Sequence, residues 1–223
     1  MQKTSTKPRR AEWDEAHGAI FNHDRIRAAA FLASPQPDSY GLAMTISAPH
    51  AGVDGAVTEE RFRQVMASFA TGVTVITTQV RGEVRGMTAN AFMSGSLDPP
   101  LCVVSVALRA RMHAFLVEAG HFGVNILARG QESLIGHFAG RPLEGIEPKY
   151  EYAGGTPVFA HANATMAARV IAQHPCGDHS LFVGHIFALR HFEGVSPVVL
   201  HVGRLALLRH SQEQTKWPTL DFW

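Results

Sequence analysis

Residues 86–100 read GMTANAFMSGSLDPP, and residues 101–108 continue as LCVVSVAL. The first part is rich in small hydroxyl and amide residues, and the second part is almost wholly apolar. The small polar residues are Thr88, Asn90, Ser94 and Ser96. A β-turn uses four consecutive residues, whereas these polar side chains are spread over positions 88–96, which is more than a single turn requires. The pattern predicts a strand, a loop and a buried strand, and the polar side chains need something to face.

Runs of β-branched and aromatic residues recur on both sides of this stretch. VTVITTQV (73–80) precedes it, a turn is expected at Gly82, and FGVNIL (122–127) follows. Three longer β-type runs come next: FAHANATMAARVIA (159–172), HSLFVGHIFALRHF (179–192) and PVVLHVGRLALL (197–208). Two helical segments between these runs are brief: ARMHAFLVEAG (110–120), closed by Gly120, and GQESLIGHFAG (130–140). Helices this short are not typical of βαβ crossovers, so we predict a mainly β protein with an antiparallel sheet curled into a barrel.

The ordered domain is predicted to begin with a helix near Thr58. Thr58 is a suitable N-cap, and apolar residues recur at helical spacing up to Gly72, where we expect the helix to end. The apolar positions are Phe62, Val65, Met66 and Phe69. We therefore divide the chain into an arm and linker over 1–57, a barrel domain over 58–212 and a tail over 213–223. The arm contains a candidate helix at 11–33, followed by a Pro- and Gly-rich linker.

Composition limits the classes of function. The chain has 223 residues, 46% hydrophobic residues and a formal charge of +1, which gives no electrostatic reason to expect nucleic acid or an acidic membrane surface as a partner. Its two cysteines do not suggest a disulfide framework, and no apolar run has the length of a signal peptide or membrane span, so we expect a cytoplasmic protein. There is also no G-x-G-x-x-G fingerprint, phosphate-binding Walker loop, G-x-S-x-G or H-E-x-x-H motif.

Three segments could carry chemistry, and each has a simpler explanation. The small residues of 86–100 allow backbone N–H groups to approach a planar heterocycle such as a flavin ring, but they could also form a polar turn. HPCGDH (174–179) contains four possible metal ligands; its spacing matches no structural zinc pattern, so we favour a tight Gly-Asp turn and expect no metal site. Arg109 and Arg111 open a helix, where they suit either a phosphate seat or a solvated helix start.

Taken together, these segments resemble the flavin reductase family, in particular the FMN-binding split-barrel reductase components of two-component monooxygenases. The resemblance runs from Phe62 to Leu208. It is carried by FRQVMASFATGVTVITT, GMTANAFMSGSLDPP, HFGVNIL, GDHSLFVGHI and PVVLHVGRL, in that order. It implies an antiparallel Greek-key split barrel.

The resemblance also implies the positions of the site. The flavin ring and ribityl chain are expected along Met87, Thr88, Ala89, Asn90, Ser94, Gly95 and Ser96, with Phe122 and Asn125 on the strand that backs the pocket. The phosphate is expected at residues 108–112, which include Arg109, Ala110 and Arg111. His179, preceded by Asp178, is expected near the nicotinamide and gives the catalytic pair. Relatives commonly carry Ser at the position of Ala110, so this chain has lost a hydroxyl at the phosphate seat.

The activity implied is hydride transfer from NAD(P)H to FMN or FAD, with reduced flavin passed to a separate oxygenase component. NADH is preferred over NADPH because no arginine pair awaits a 2′-phosphate, and a homodimer is expected. Two alternatives share the fold: a flavin-using reductase of a corrinoid or ferric complex, and a non-catalytic flavin or haem carrier.

Overall fold

The computed structural model describes residues 56–206 and 208, and this part of the chain is mainly β with short helices. The helices are α1 (Glu59–Ala67), α2 (Arg111–Ala119) and α3 (Glu132–Phe138). The strands are β1 (Thr71–Gly72), β2 (Thr74–Val80), β3 (Glu83–Ala89), β4 (Phe92–Ser96), β5 (Leu101–Ala107), β6 (His121–Ile126), β7 (Tyr150–Ala153), β8 (Thr156–Phe159), β9 (Ala164–Cys176), β10 (His179–His191), β11 (Val199–His201) and β12 (Arg204–Ala206). The expected arm up to Gly55, including its candidate helix at 11–33, and the tail at 213–223 lie outside the described residues.

The largest sheet has seven antiparallel strands in the order β3-β2-β6-β9-β10-β5-β4. Its two outer strands, β3 and β4, are joined in sequence only by Asn90 and Ala91. A flat sheet would separate those edges by about 29 Å, which is six strand spacings of about 4.8 Å. Three Cα–Cα steps span at most about 11 Å, so the sheet must curl until its edges approach. The edges do not pair with each other, which leaves the curled sheet split along one side.

The burial of β2 on both of its faces explains why this strand is rich in apolar and β-branched residues. Six of its seven residues are buried, because Ile76 packs into the barrel interior while Val75 packs into a second cluster on the other face. The interior cluster contains Phe122 and Phe182, both fully buried, and α2 closes it with Met112 and Leu116. The second cluster is covered by the side chains of α3.

Several local expectations need correction. Residues 86–100 are mostly strand rather than loop, because β3 runs to Ala89 and β4 begins at Phe92. The run at 197–208 is not one long strand, since Val202 and Gly203 both take positive φ and turn the chain between β11 and β12. The β7–β8 hairpin, with a Gly154-Gly155 turn, was not expected at all.

Helix α1 begins as expected, because the Thr58 side chain accepts a hydrogen bond from the Arg61 amide at 3.2 Å. It ends at Ala67 with Ser68 as C-cap, earlier than the expected end at Gly72. Its apolar side chains Phe62, Val65 and Met66 are at least half exposed, and so is Phe69 beyond the helix. In the described part of the chain, none of the helices has the length and apolar character needed to cross a membrane.

Candidate active site

The segment HPCGDH forms the tip of the β9–β10 hairpin. Gly177 and Asp178 make a two-residue turn, with Gly177 at φ 60°, and His179 is the first residue of β10. His179 lies opposite Cys176 on one side and Ala107 of β5 on the other. The turn interpretation of this segment is confirmed. Within residues 56–206, no three His, Cys, Asp or Glu side chains come close enough to hold a metal ion.

Asp178 determines which nitrogen of His179 carries the proton. The Asp178 Oδ1 atom lies 2.7 Å from His179 Nδ1, and this hydrogen bond holds the pKa of the Asp178 carboxyl below its usual range. An ionised carboxylate only accepts hydrogen bonds, so Nδ1 donates and the neutral ring keeps Nε2 as an acceptor. His179 is partly exposed, so Nε2 can meet a ligand.

The turn after β5 lies beside this hairpin tip. The Leu108 amide donates to the Asp178 carbonyl at 3.0 Å, which fixes the two loops against each other. Arg109 is close enough that its charge, added to the larger effect of the His179 hydrogen bond, lowers the pKa of Asp178 further. Ala110 is the N-cap of α2, and its methyl side chain cannot accept a hydrogen bond from the first amides of this nine-residue helix. Arg111 is the first residue of the helix. Backbone N–H groups at such a helix start suit an anionic group.

The small polar residues of 86–96 lie on the two edges of the split. On β3, Met87 and Ala89 pack into the barrel interior, while the Thr88 hydroxyl donates to the Ile135 carbonyl of α3 at 2.8 Å. The Thr88 proton is therefore used within the fold, and only its oxygen lone pairs remain for a ligand. Asn90 is exposed between the two edges, and so are Ser94 and Gly95 on β4, where a bulge interrupts the pairing with β5.

These residues form an elongated strip rather than a compact cluster. Ser94 lies opposite Cys102 near the start of β5, and His179 lies opposite Ala107 at its end. Five residue steps along β5 correspond to about 17 Å at about 3.4 Å per residue. Asn90 lies nearer the His179 end of the strip. The residue that follows it, Ala91, accepts through its carbonyl a hydrogen bond from the Ser105 amide, which is close to that end of β5. The strip suits a long ligand with a ring at one part and a charged group at another.

Phe122 and Asn125 occupy a different position from the other expected site residues. Both are fully buried in β6. The Asn125 amide donates to the Val75 carbonyl at 2.8 Å and to the Thr77 hydroxyl at 3.0 Å, and its oxygen accepts from the Phe159 amide at 2.6 Å. The side chain of Asn125 therefore ties strands together, and both residues support the site from behind rather than presenting atoms to a ligand.

One group beside the site was missed by the sequence reasoning. His113 in the first turn of α2 contacts Ser180, the residue after His179, and Gln173 of β9. A usable signal existed, since His113 follows the arginine pair by two residues and Ser180 directly follows His179 in the sequence.

Comparisons with known proteins decide the family. The flavin reductase like domain matches residues 66–208 of the chain. The chain belongs to the flavin reductase family. An NADH-dependent flavin reductase of Rhodococcus sp. is 39% identical over 168 residues, covering 74% of this chain and 95% of that protein. The reductase component of 4-hydroxyphenylacetate 3-monooxygenase from Thermus thermophilus is 42% identical over 141 residues, covering 63% and 91%.

A solved flavin reductase structure shares the fold of this chain. The NADH:FAD oxidoreductase SgcE6 of Streptomyces globisporus, in complex with NAD and FAD fragments, matches with a TM-score of 0.66 and 30% identity, covering 73% of this chain and all of that one. The expected family and split-barrel fold are thus confirmed, whereas the individual site residues stay predictions.

The strip fits a flavin on chemical grounds. Among the described residues, β3 and β4 each pair on one side only, so each presents unpaired backbone N–H and C=O groups along the split. A flavin ring carries hydrogen-bonding atoms along one edge, which matches such a row, and the small size of Ser94 and Gly95 leaves room for the approach. The other end of the strip offers Arg109, Arg111 and the start of α2 to a phosphate.

Proposed function

We propose that this protein oxidises NADH, transfers the hydride to FMN or FAD, and releases the reduced flavin to a separate monooxygenase component. The observation that carries the proposal is the hydrogen bond from Leu108 to Asp178, which sets the arginine turn beside His179 at one end of the split. The family match extends over the same barrel. Relatives named as NADH-dependent reductases and as a monooxygenase reductase component support the choice of nucleotide and partner.

A bound flavin would supply the hydride acceptor, and the task of the chain is to bind and orient two rings. Hydride transfer is chiefly a positioning problem, so it needs no nucleophile or acid–base pair from the protein. The ring would lie along the free edge of β4 on the side toward Asn90, which is nearer His179, and the turn at residues 108–111 would hold the phosphate. His179, with Nδ1 fixed by Asp178, would accept through Nε2 a hydrogen bond from the nicotinamide carboxamide or its ribose.

The same proposal covers the assembly and location of the enzyme. The exposed apolar side chains of α1 suit burial against a second copy of the chain, giving a homodimer. We place the protein in the cytoplasm, where NADH and a partner oxygenase are available, without nucleic acid or a membrane as partner.

A steady-state assay of NADH oxidation tests the proposed function. Purified protein should oxidise NADH only when flavin is added, and FMN, FAD and riboflavin compared side by side should reveal which flavin it prefers. NADPH should be a poorer donor than NADH. A protein that binds flavin but leaves NADH unoxidised would be a carrier, and one that is slow with free flavin but fast with a corrinoid or ferric complex would be a reductase of another acceptor; either result overturns the proposal.

A further inference from the structure

Three side chains form a closed polar group behind the hairpin tip. His113 Nε2 lies 2.9 Å from the Ser180 hydroxyl and 3.2 Å from Gln173 Nε2. Gln173 Nε2 also lies 3.1 Å from the same Ser180 hydroxyl. The His113 ring packs edge-on against Phe182, with centroids 5.2 Å apart, so its orientation is fixed by apolar packing as well.

Counting donors fixes the direction of each bond. The Gln173 amide nitrogen can only donate, so it donates to both His113 Nε2 and the Ser180 oxygen. Ser180 directs its own proton to His113 at the shorter distance of 2.9 Å, so Nε2 is the unprotonated nitrogen of a neutral ring, and its one lone pair is shared with the longer 3.2 Å contact from Gln173. All three groups are satisfied together, and removing the imidazole nitrogen leaves the nearly buried Ser180 hydroxyl without its acceptor.

The group joins the two halves of the proposed site. His113 lies two residues after Arg111, and Ser180 lies one residue after His179. The backbones of the two loops are already joined by the pairing of His179 with Ala107 and by the bond from Leu108 to Asp178, whereas neither connection includes α2 and its Arg111. The contact between His113 and Ser180 ties the first turn of α2, which carries Arg111, to the strand that begins with His179.

We infer that His113 is a positioning residue for NADH, acting through Ser180 on His179. This inference rests on the proposed reductase function. The fold itself does not depend on the polar contact, because α2 is anchored in the barrel by the buried side chains of Met112 and Leu116. Loss of the contact should therefore change the geometry of the NADH end of the strip more than the stability of the domain.

The test uses the full-length protein and compares His113→Phe with His113→Gln. Phenylalanine keeps the ring beside Phe182 but removes the nitrogen, whereas glutamine places an amide at the reach of Nε2. Anaerobic stopped-flow reduction of flavin by NADH should slow, or the NADH concentration for half-maximal rate should rise, by about threefold to tenfold in His113→Phe, the range expected for one lost hydrogen bond. His113→Gln should recover most of the loss, and flavin affinity should change little in both variants. Tm should fall by a few degrees in His113→Phe, because the buried Ser180 hydroxyl loses its acceptor, and it should fall less in His113→Gln.

Two further variants sharpen the result. Ser180→Ala should reproduce His113→Phe, and the double variant should be no worse than either single one, because both remove the same connection. His191→Phe, a histidine substitution at the exposed far end of β10, should leave the kinetics unchanged. Wild-type kinetics in His113→Phe, an equal loss in His113→Gln, or additive effects in the double variant would overturn the positioning role. Wild-type protein that fails to reduce flavin at all would instead overturn the proposed function, and the inference with it.

Discussion

At the scale of single residues, the Asp178–His179 pair is the most specific chemical feature of the strip. The carboxylate fixes the imidazole tautomer from an exposed turn, and the Gly177 backbone at φ 60° allows that turn to be only two residues long. In the proposed reaction the pair would need no proton transfer, because an acceptor placed at Nε2 would be sufficient to orient the nicotinamide.

His179→Ala should raise KM for NADH or slow hydride transfer about tenfold or more, because it removes one positioning hydrogen bond from the NADH end of the strip. Flavin affinity should change little, since the expected flavin contacts lie on β4 and at the arginine turn. Stopped-flow reduction and a separate flavin titration measure the two effects. Unchanged reduction kinetics, or a variant that loses only thermal stability, would remove His179 from the site.

The pH dependence of stability should have a component from His121. Burial lowers the pKa of this side chain, the charge of Arg169 lowers it further, and His121 Nδ1 lies 2.9 Å from the Thr156 hydroxyl. A depressed histidine pKa means that the unfolded chain binds the proton more readily, so stability is complete above the ordinary pKa of about 6.5 and is lost as the pH falls through the folded value. We expect Tm to fall less steeply in His121→Gln than in the wild type between about pH 7 and pH 5. Parallel curves for the two proteins would contradict this.

At the scale of elements, the sequence predicted the strands, helices and turns whose residues have a local conformational preference that matches their position in the fold. β2 is apolar and β-branched because both faces are buried, and α2 ends at Gly120 because that residue takes a left-handed conformation at φ 68°. The Gly177–Asp178 turn follows from the same kind of signal. These features could be read from the chain because each residue's own preference points to its position in the fold.

The elements that the sequence did not predict depend on contacts between residues that are distant in sequence, or on residues whose own preference is for another conformation. Pro157 lies within β8, where a proline usually argues against a strand, so the β7–β8 hairpin was hidden. Val202 takes φ 49°, which a β-branched residue rarely adopts, so nothing at that position signals the turn between β11 and β12. The role of Asn125 as a tie between strands and the Thr88 bond to α3 arise from residues distant in sequence.

Substitution of Gly123, in β6, should destabilise the barrel. An added Cβ would overlap the Pro157 carbonyl oxygen and the Thr77 hydroxyl, which are held in place by their own hydrogen bond. Gly123→Ala should therefore destabilise the domain by about 1–3 kcal/mol or more in urea unfolding. Gly136→Ala is the matched control, because that helical position has no atom near the added Cβ and should gain about 0.5–1 kcal/mol. Equal stabilities of the two variants would show that β6 and β8 can separate without cost.

At the scale of the whole molecule, the described barrel strands and the proposed site residues lie between residues 71 and 206, and the sequence resemblance begins at Phe62. The family motifs indicated a candidate site because they carry small residues at the split and a charged turn at the end of β5. They could not indicate which side chains are already occupied within the fold, as in Thr88 and Asn125.

Removal of residues 1–55 should leave a folded core that still binds flavin. The Pro- and Gly-rich composition before Thr58 motivates this expectation, because few core contacts should cross such a linker. A melting curve and a flavin titration of the truncated protein, beside the full chain, provide the measurement. An insoluble product, or a folded one unable to bind flavin, would mean that the first 55 residues complete the barrel or the dimer.

The most direct measurement of the central claim is a single-turnover reaction without oxygen. Purified protein, flavin and NADH are mixed, and the visible absorbance of oxidised flavin is followed against a mixture that lacks the protein. We expect rapid bleaching with one flavin reduced per NADH oxidised, a rate that saturates with NADH, and a loss of about tenfold in His179→Ala. Bleaching no faster than in the protein-free mixture would contradict the assignment of this strip as a site of hydride transfer.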